Sequence, residues 1–190
     1  FSIASAAFPA RYVSGDFYDY RTVNKNVQEI IIADIAGKGI PAALLTTTAR
    51  AFLRSGKIKE DAPNVTLSLL NQMMYNDLVN AEKFITMQIT QLDSSTGKIC
   101  YASAGHTESL LLRNNKKIAR FLPTTIPIGI EKQLVSDVKE FYLRPGDLLL
   151  LYSDGVTEAE NIDGRLFGIE RLKEILLKSG ENNAEADGVI

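Results

Sequence analysis

Histidine occurs once, at His106, cysteine once, at Cys100, and tryptophan not at all among the 190 residues. A disulfide between two of these residues is impossible, and so is a Cys/His zinc site of the usual spacings. A Ser/His/Asp or Cys/His hydrolase would have to route all its proton transfer through His106. Basic charge is not in excess, since 21 Lys and Arg stand against 23 Asp and Glu for a net charge of -2, so the electrostatic footprint of a nucleic-acid binder is missing. No apolar run approaches the ~20 residues of a membrane span, and no charged segment precedes an apolar stretch at the start. These are the grounds for expecting a cytoplasmic domain with no nucleic-acid partner and no membrane contact. A metal serving this chain has to be held by oxygens, which selects hard ions such as Mg²⁺ or Mn²⁺.

What is present is an ordinary core, 45% apolar and 23% charged, without repeats or a linker-like tract. We read one domain. FSIASAAF has the look of a strand, and SGDFYDYRTV turns at Asn24-Lys25-Asn26 into VQEIIIAD. Pro41 opens a helix that runs to Gly56, and Asn64 is placed to cap a second one carrying Val65, Leu69, Leu70, Met73, Met74 and Leu78. Residues 84–92 alternate as a half-buried strand and lead through DSSTG into KICYASAG. ESLLLR and KIARFL form a further hairpin, as do LVSDVKEFYL and LLLLYSD around Arg144-Pro145-Gly146-Asp147. A last helix covers 168–179 with Gly180 at its end. Hairpin-linked strands with helices inserted early and late predict an α/β (α+β) fold of antiparallel sheets, with a second sheet covering the dry face of the first.

Three carboxylates stand apart by position. Asp16 follows Gly15 at a strand start, while Asp34 and Asp154 each end an apolar strand. Two carboxylates ~4 Å apart repel by about 4 kcal/mol at an effective dielectric near 20, so their convergence calls for a divalent cation between them. Taken singly each reads as a turn-capping Asp; three together favour a metal. Asp19 is the control, because residues 16 and 19 of one extended strand point to opposite faces. AGKGIP places two glycines before a helix start, where Lys38 could meet a phosphate, although it is not a Walker A loop. His106 reads as a structural hydrogen-bonding residue and Cys100 as core.

SGDFYD, ADIAGKGIPAAL, ASAGH, PIG and LLLLYSDGVTEAEN followed by FG, in this order, resemble the metal-dependent type 2C (PPM) protein phosphatases, specifically their bacterial SpoIIE/RsbU-like branch. The resemblance spans residues 1 to about 180 and implies a pair of packed antiparallel sheets flanked by helices, with a site for two Mn²⁺ or Mg²⁺ ions. Carried over by position, Asp34 bridges both metals, the Ile35 carbonyl binds the first, Asp154 binds the second, and Asp16 reaches them through water. Arg11 stands where some relatives keep a phosphate-binding arginine. Ser14 departs from the glycine common in the family, and TES after His106 replaces a proline-rich segment. The family pattern also carries a later aspartate on a further strand pair, absent from ADGVI, so residues 1–190 are expected to be a single phosphatase domain lacking its closing strands, with an incomplete second metal site and an exposed edge that favours a homodimer.

The implied reaction is direct hydrolysis by metal-activated water, which agrees with the scarcity of His and Cys. The implied substrate is a phosphoserine or phosphothreonine on a regulatory protein, in this branch an anti-sigma-factor antagonist within a partner-switching circuit governed by an upstream sensor domain. The alternative from another class is a non-catalytic regulatory module that keeps the fold and binds a partner; retention of Asp16, Asp34 and Asp154 argues against it. An unrelated Mg²⁺-dependent phosphoesterase would fit the carboxylates but not the order of the motifs.

Overall fold

The computed structural model describes residues 1–8, 14–55, 62–181 and 186. The first hairpin forms as expected from β1, Phe17–Thr22, and β2, Val27–Ile35, antiparallel with Phe17 opposite Ala33. Asn24 Oδ1 closes its turn by accepting from the Asn26 and Val27 N–H groups. β3, Ile85–Asp93, β4, Lys98–Ala104, and a later strand, Lys139–Tyr142, complete a five-stranded antiparallel sheet. α1, Ile40–Arg54, begins at the predicted proline, whose fixed φ and missing N–H suit a first helical turn. α1 and α2, Pro63–Asn80, lay Ala42, Ala49 and Leu53, and Leu67, Leu70, Met74 and Leu78, on the sheet face that carries Ile31, Ala33, Ile35, Met87 and Ile89. Each such Leu or Met contributes about 1.5–3 kcal/mol by leaving water. These elements, with residues 123–143, make the larger of two compact units.

The smaller unit comprises Phe1–Ala7, Thr107–Leu122 and Arg144–Ile190. Its antiparallel sheet contains β5, Ser109–Arg113, β6, Lys117–Phe121, and a short strand, Leu148–Leu150, with β5 in the middle. In chain order Lys139–Tyr142 is β7 and Leu148–Leu150 is β8; α3, Asp154–Thr157, and α4, Ile169–Glu181, follow. Leu110 and Leu112 of β5 pack with Tyr152, Leu172 and Leu176. The class is thus α+β with two antiparallel sheets, as the sequence predicts. No helix among the described residues is long and apolar enough to cross a membrane.

Several local expectations fail for identifiable reasons. The turn at Arg144–Asp147 exists, with Arg144 N–H donating to Asp147 Oδ2 at 3.0 Å, but it joins two sheets: β7 pairs with β4 and β8 with β5. Residues 1–8 form no strand, and Phe1 and Phe8 are 68% and 87% exposed. Asn64 does not cap α2. Pro63 takes the first helical position, Ala62 precedes it, and Asn64 Nδ2 instead donates to Ser136 O at 3.2 Å. Val65 lies off the apolar face. β3 is not half-buried, because as the middle strand it also buries Gln88 and Thr90. Gly180 does not end the last helix but lies inside it, where a Cβ would stand 2.5 Å from Leu112 Cδ2.

Candidate functional site

The end of β2 and the approach to β1 bring the first site residues together. Because Phe17 pairs with Ala33, the chain just before β1 runs beside the last residues of β2. Gly15 makes that approach possible. A Cβ built on it would lie 2.6 Å from the Ile35 carbonyl oxygen and 3.1 Å from Asp34 Oδ1, so a side chain there would fill the space those oxygens border. Asp16 follows at once, its N–H held at 3.0 Å by Ser14 Oγ, which gives a physical use to the residue that departs from the family's glycine. Asp16 and Asp34 are both half-buried. A carboxylate and a backbone carbonyl converging beside a glycine, with a second carboxylate next in sequence, form an all-oxygen donor set suited to a hard divalent cation.

Neighbouring side chains fix this corner. Thr46 Oγ1 of α1 lies 3.2 Å from the Gly15 carbonyl oxygen and 3.0 Å from that of Ala42, so its one hydroxyl proton serves both. Thr86, opposite Asp34 in the ladder, places its hydroxyl 2.8 Å from His106 Nδ1 and 3.5 Å from the Asp34 carbonyl oxygen. His106 is 2% exposed and acts as the hydrogen-bonding residue the sequence suggested. The motifs ASAGH and PIG meet in packing: a Cβ on Gly105 would collide with Pro127, and Asn71 holds Gly129 N–H at 2.8 Å. Thr46 and Thr86 escaped sequence reading because hydroxyls inside regular elements read as filler when their partners are distant in sequence.

Asp19 behaves as the control should. It is 6% exposed and faces α1, where Arg54 Nε donates to Oδ2 at 2.7 Å, Arg54 Nη2 to Oδ1 at 2.5 Å, and Arg50 lies at 3.7 Å. Burial alone would raise its pKa, but the Arg54 hydrogen bonds, the Tyr20 N–H and the charges of Arg54 and Arg50 outweigh it and hold the carboxyl below its ordinary value. The other proposed residues are placed differently. Asp154 belongs to the smaller unit and is exposed at the first position of α3, not shielded at the end of an apolar strand, because β8 stops at Leu150. Lys38 is exposed in the glycine turn, and Arg11 lies outside the described residues. Among the described residues no three His, Cys, Asp or Glu side chains are gathered so as to hold a metal; the oxygen set above draws on a backbone carbonyl.

The family model for stage II sporulation protein E (SpoIIE) matches residues 25–189. The chain belongs to the SpoIIE family. Among curated family relatives, phosphoserine phosphatase RsbU of Bacillus subtilis is 33% identical over 167 residues, covering 86% of this chain and 49% of RsbU. Protein IcfG of Synechocystis is 30% identical over 195 residues, covering 88% of this chain and 31% of IcfG. The chain thus spans less than half the length of these two relatives. Among solved structures, the SiaA-PP2C domain of Pseudomonas aeruginosa superposes with a TM-score of 0.76 at 23% identity, covering 93% of this chain and 68% of that one. RsbX, solved in complex with magnesium, shares the fold at a TM-score of 0.60 and 16% identity, covering 93% of this chain and 83% of its own. The PP2C fold and the SpoIIE/RsbU-like membership of this chain follow.

Proposed function

We propose that this SpoIIE-family chain is a Mn²⁺- or Mg²⁺-dependent protein serine/threonine phosphatase. The observation that carries the reading is the Gly15 corner, where Asp34 Oδ1 and the Ile35 carbonyl oxygen border a space without a side chain. The names of RsbU as a phosphoserine phosphatase and of RsbX with magnesium support the reaction class and the kind of ion. Asp34 would bridge two ions, the Ile35 carbonyl would hold one of them, Asp154 would serve the other on the strength of its motif, and Asp16 would act through water. When bound, the ions supply positive charge to the phosphoryl oxygens and lower the pKa of the attacking water. Thr46 and Thr86 keep the backbones of Gly15 and Asp34 in place, and Arg11 and Lys38 are the first candidates for steadying the phosphate.

The substrate is a phosphoserine or phosphothreonine on a regulatory protein, an anti-sigma-factor antagonist in a partner-switching circuit. The chain acts in the cytoplasm as one catalytic domain, under an upstream sensor domain and with self-association through a strand edge. The direct test is release of phosphate from p-nitrophenyl phosphate with Mn²⁺, with excess chelator and with Asp34→Ala. Full turnover in chelator, or in the Asp34 variant, overturns the metal-dependent phosphatase.

A further inference from the structure

Lys83 was not singled out by any motif, yet its position is tightly determined. Glu82 before it takes a left-handed conformation with φ 53°, and the Lys83 N–H donates to Leu78 O at 2.9 Å, ending α2. On the other side Ala36 N–H donates to Phe84 O at 2.9 Å, which carries the β2–β3 pairing past Ile35 and sets Lys83 beside the glycine turn. There the side chain lies over Gly37. A Cβ on Gly37 would stand 2.6 Å from Lys83 Nζ and 3.1 Å from its Cε, so the ammonium end lies over the turn, and the φ of 109° at Gly37 is what calls for glycine. Gly37 is two residues beyond Ile35 and three beyond Asp34, which limits its Cα to about 11 Å from that of Asp34.

Lys83 is half-buried, its stem set against the protein while a lysine of this kind ordinarily keeps its ammonium accessible. Among the described residues the Lys83 ammonium has neither a hydrogen bond nor an ion pair. An ammonium on the turn that leads out of the Asp34–Ile35 corner works against a divalent cation there by like-charge repulsion, unless an anion arrives with the metal. A phosphoryl group is such an anion, and an ammonium with three donors on a four-carbon stem is a common partner for it.

We infer that Lys83 is a phosphate-binding residue of this site, contacting the non-bridging oxygens of a phosphomonoester or of released inorganic phosphate. The inference rests on the phosphatase reading for its setting, but its test does not need turnover. Inorganic phosphate is titrated calorimetrically into the Mg²⁺-saturated protein, and Mg²⁺ into the protein alone. Lys83→Met is expected to weaken phosphate about ten- to a hundredfold, the scale of one charge-assisted hydrogen bond, while the Mg²⁺ affinity stays or tightens. Lys83→Arg is expected to keep most of the phosphate affinity, with an unchanged melting temperature in both variants. Phosphate affinity unaltered in Lys83→Met, or no phosphate binding by the unmodified chain, overturns the inference. So does a variant in which phosphate weakens only because Mg²⁺ weakens equally. Lys83-dependent phosphate binding without p-nitrophenyl phosphate turnover would leave the anion site standing and remove the phosphatase reading.

Discussion

Two sets of acidic side chains sit on the β1–β2 hairpin, and their surroundings differ in kind. Toward the turn and α1, Glu29 is fully buried, met by Arg21 Nη2 at 2.7 Å and Gln91 Nε2 at 2.9 Å, and Asp19 is held by Arg54 and Arg50. Toward the open end of the strands, Asp34 meets the Ile35 carbonyl oxygen across a glycine, with Asp16 one residue from that glycine. The first set is neutralised by guanidinium groups of the chain itself and is structural. In the second, Asp34 Oδ1 and the Ile35 carbonyl oxygen border one space beside Gly15, a pairing of oxygens suited to a hard divalent cation. Burial alone would have ranked them the wrong way round, since Asp19 is more buried than Asp34.

The largest effect expected from breaking this contrast comes from Asp34→Ala, which should lower Mn²⁺-dependent turnover by well over the roughly 10–100-fold that loss of a supporting partner of a metal ligand costs. Asp154→Asn should fall strongly as well, read by the same assay. Gly15→Ala comes next. Its Cβ meets backbone oxygen, so the corner must shift, with about 1–3 kcal/mol lost from stability and a weaker Mn²⁺ affinity by calorimetry. Asp19→Asn should do the opposite: turnover per folded molecule stays near normal while stability drops by about 1–2 kcal/mol, discounted for the exposure of Arg54. Equal losses of turnover at Asp19 and Asp34 would erase the distinction between the two sets.

pH sharpens the same comparison. The folded Asp19 pKa lies below its unfolded value, so its contribution is fully present above about pH 4 and is lost as pH falls through the folded value. Acid denaturation of Asp19→Asn should accordingly be less steep below about pH 4 than that of the unmodified chain. The smallest effect belongs to Ser14→Ala, which removes one hydrogen bond to Asp16 N–H worth about 0.5–1.5 kcal/mol and should change metal affinity modestly.

Much of the larger unit was legible in the sequence. The hairpin turn at Asn24–Asn26 marked β1 and β2, alternation marked β3, DSSTG marked the way into β4, Pro41 marked α1, and the ordered motifs named the family. The opposite-face rule for residues 16 and 19 gave Asp19 its correct side. What escaped depends on contacts between distant segments. A turn such as Arg144–Asp147 has the same local chemistry whether its flanking strands pair with each other or, as here, with β4 and β5. Gly180 resembles a helix terminator until Leu112 is seen against it. Asp154 seemed shielded because LLLLYS reads as one buried strand, whereas only Leu148–Leu150 is paired and the carboxylate opens a helix in solvent. Lys83 carries no local signal, since its meaning comes from the glycine it covers.

The departure of the chain from one sheet to the other and back also sets an order of assembly. β5 and β6 are made before β7, yet β7 is needed at the edge of the sheet that β1–β4 begin, and β5 waits for β8 on its second side. Neither sheet can be completed by neighbouring segments alone. Closing these interleaved loops costs chain entropy before the pairing rewards it, so refolding is expected to be slow for a chain of this size, with the β1–β4 meander and its two helices formed early. Pulsed hydrogen exchange should find amides of β2 and β3 protected before those of β7 and β8.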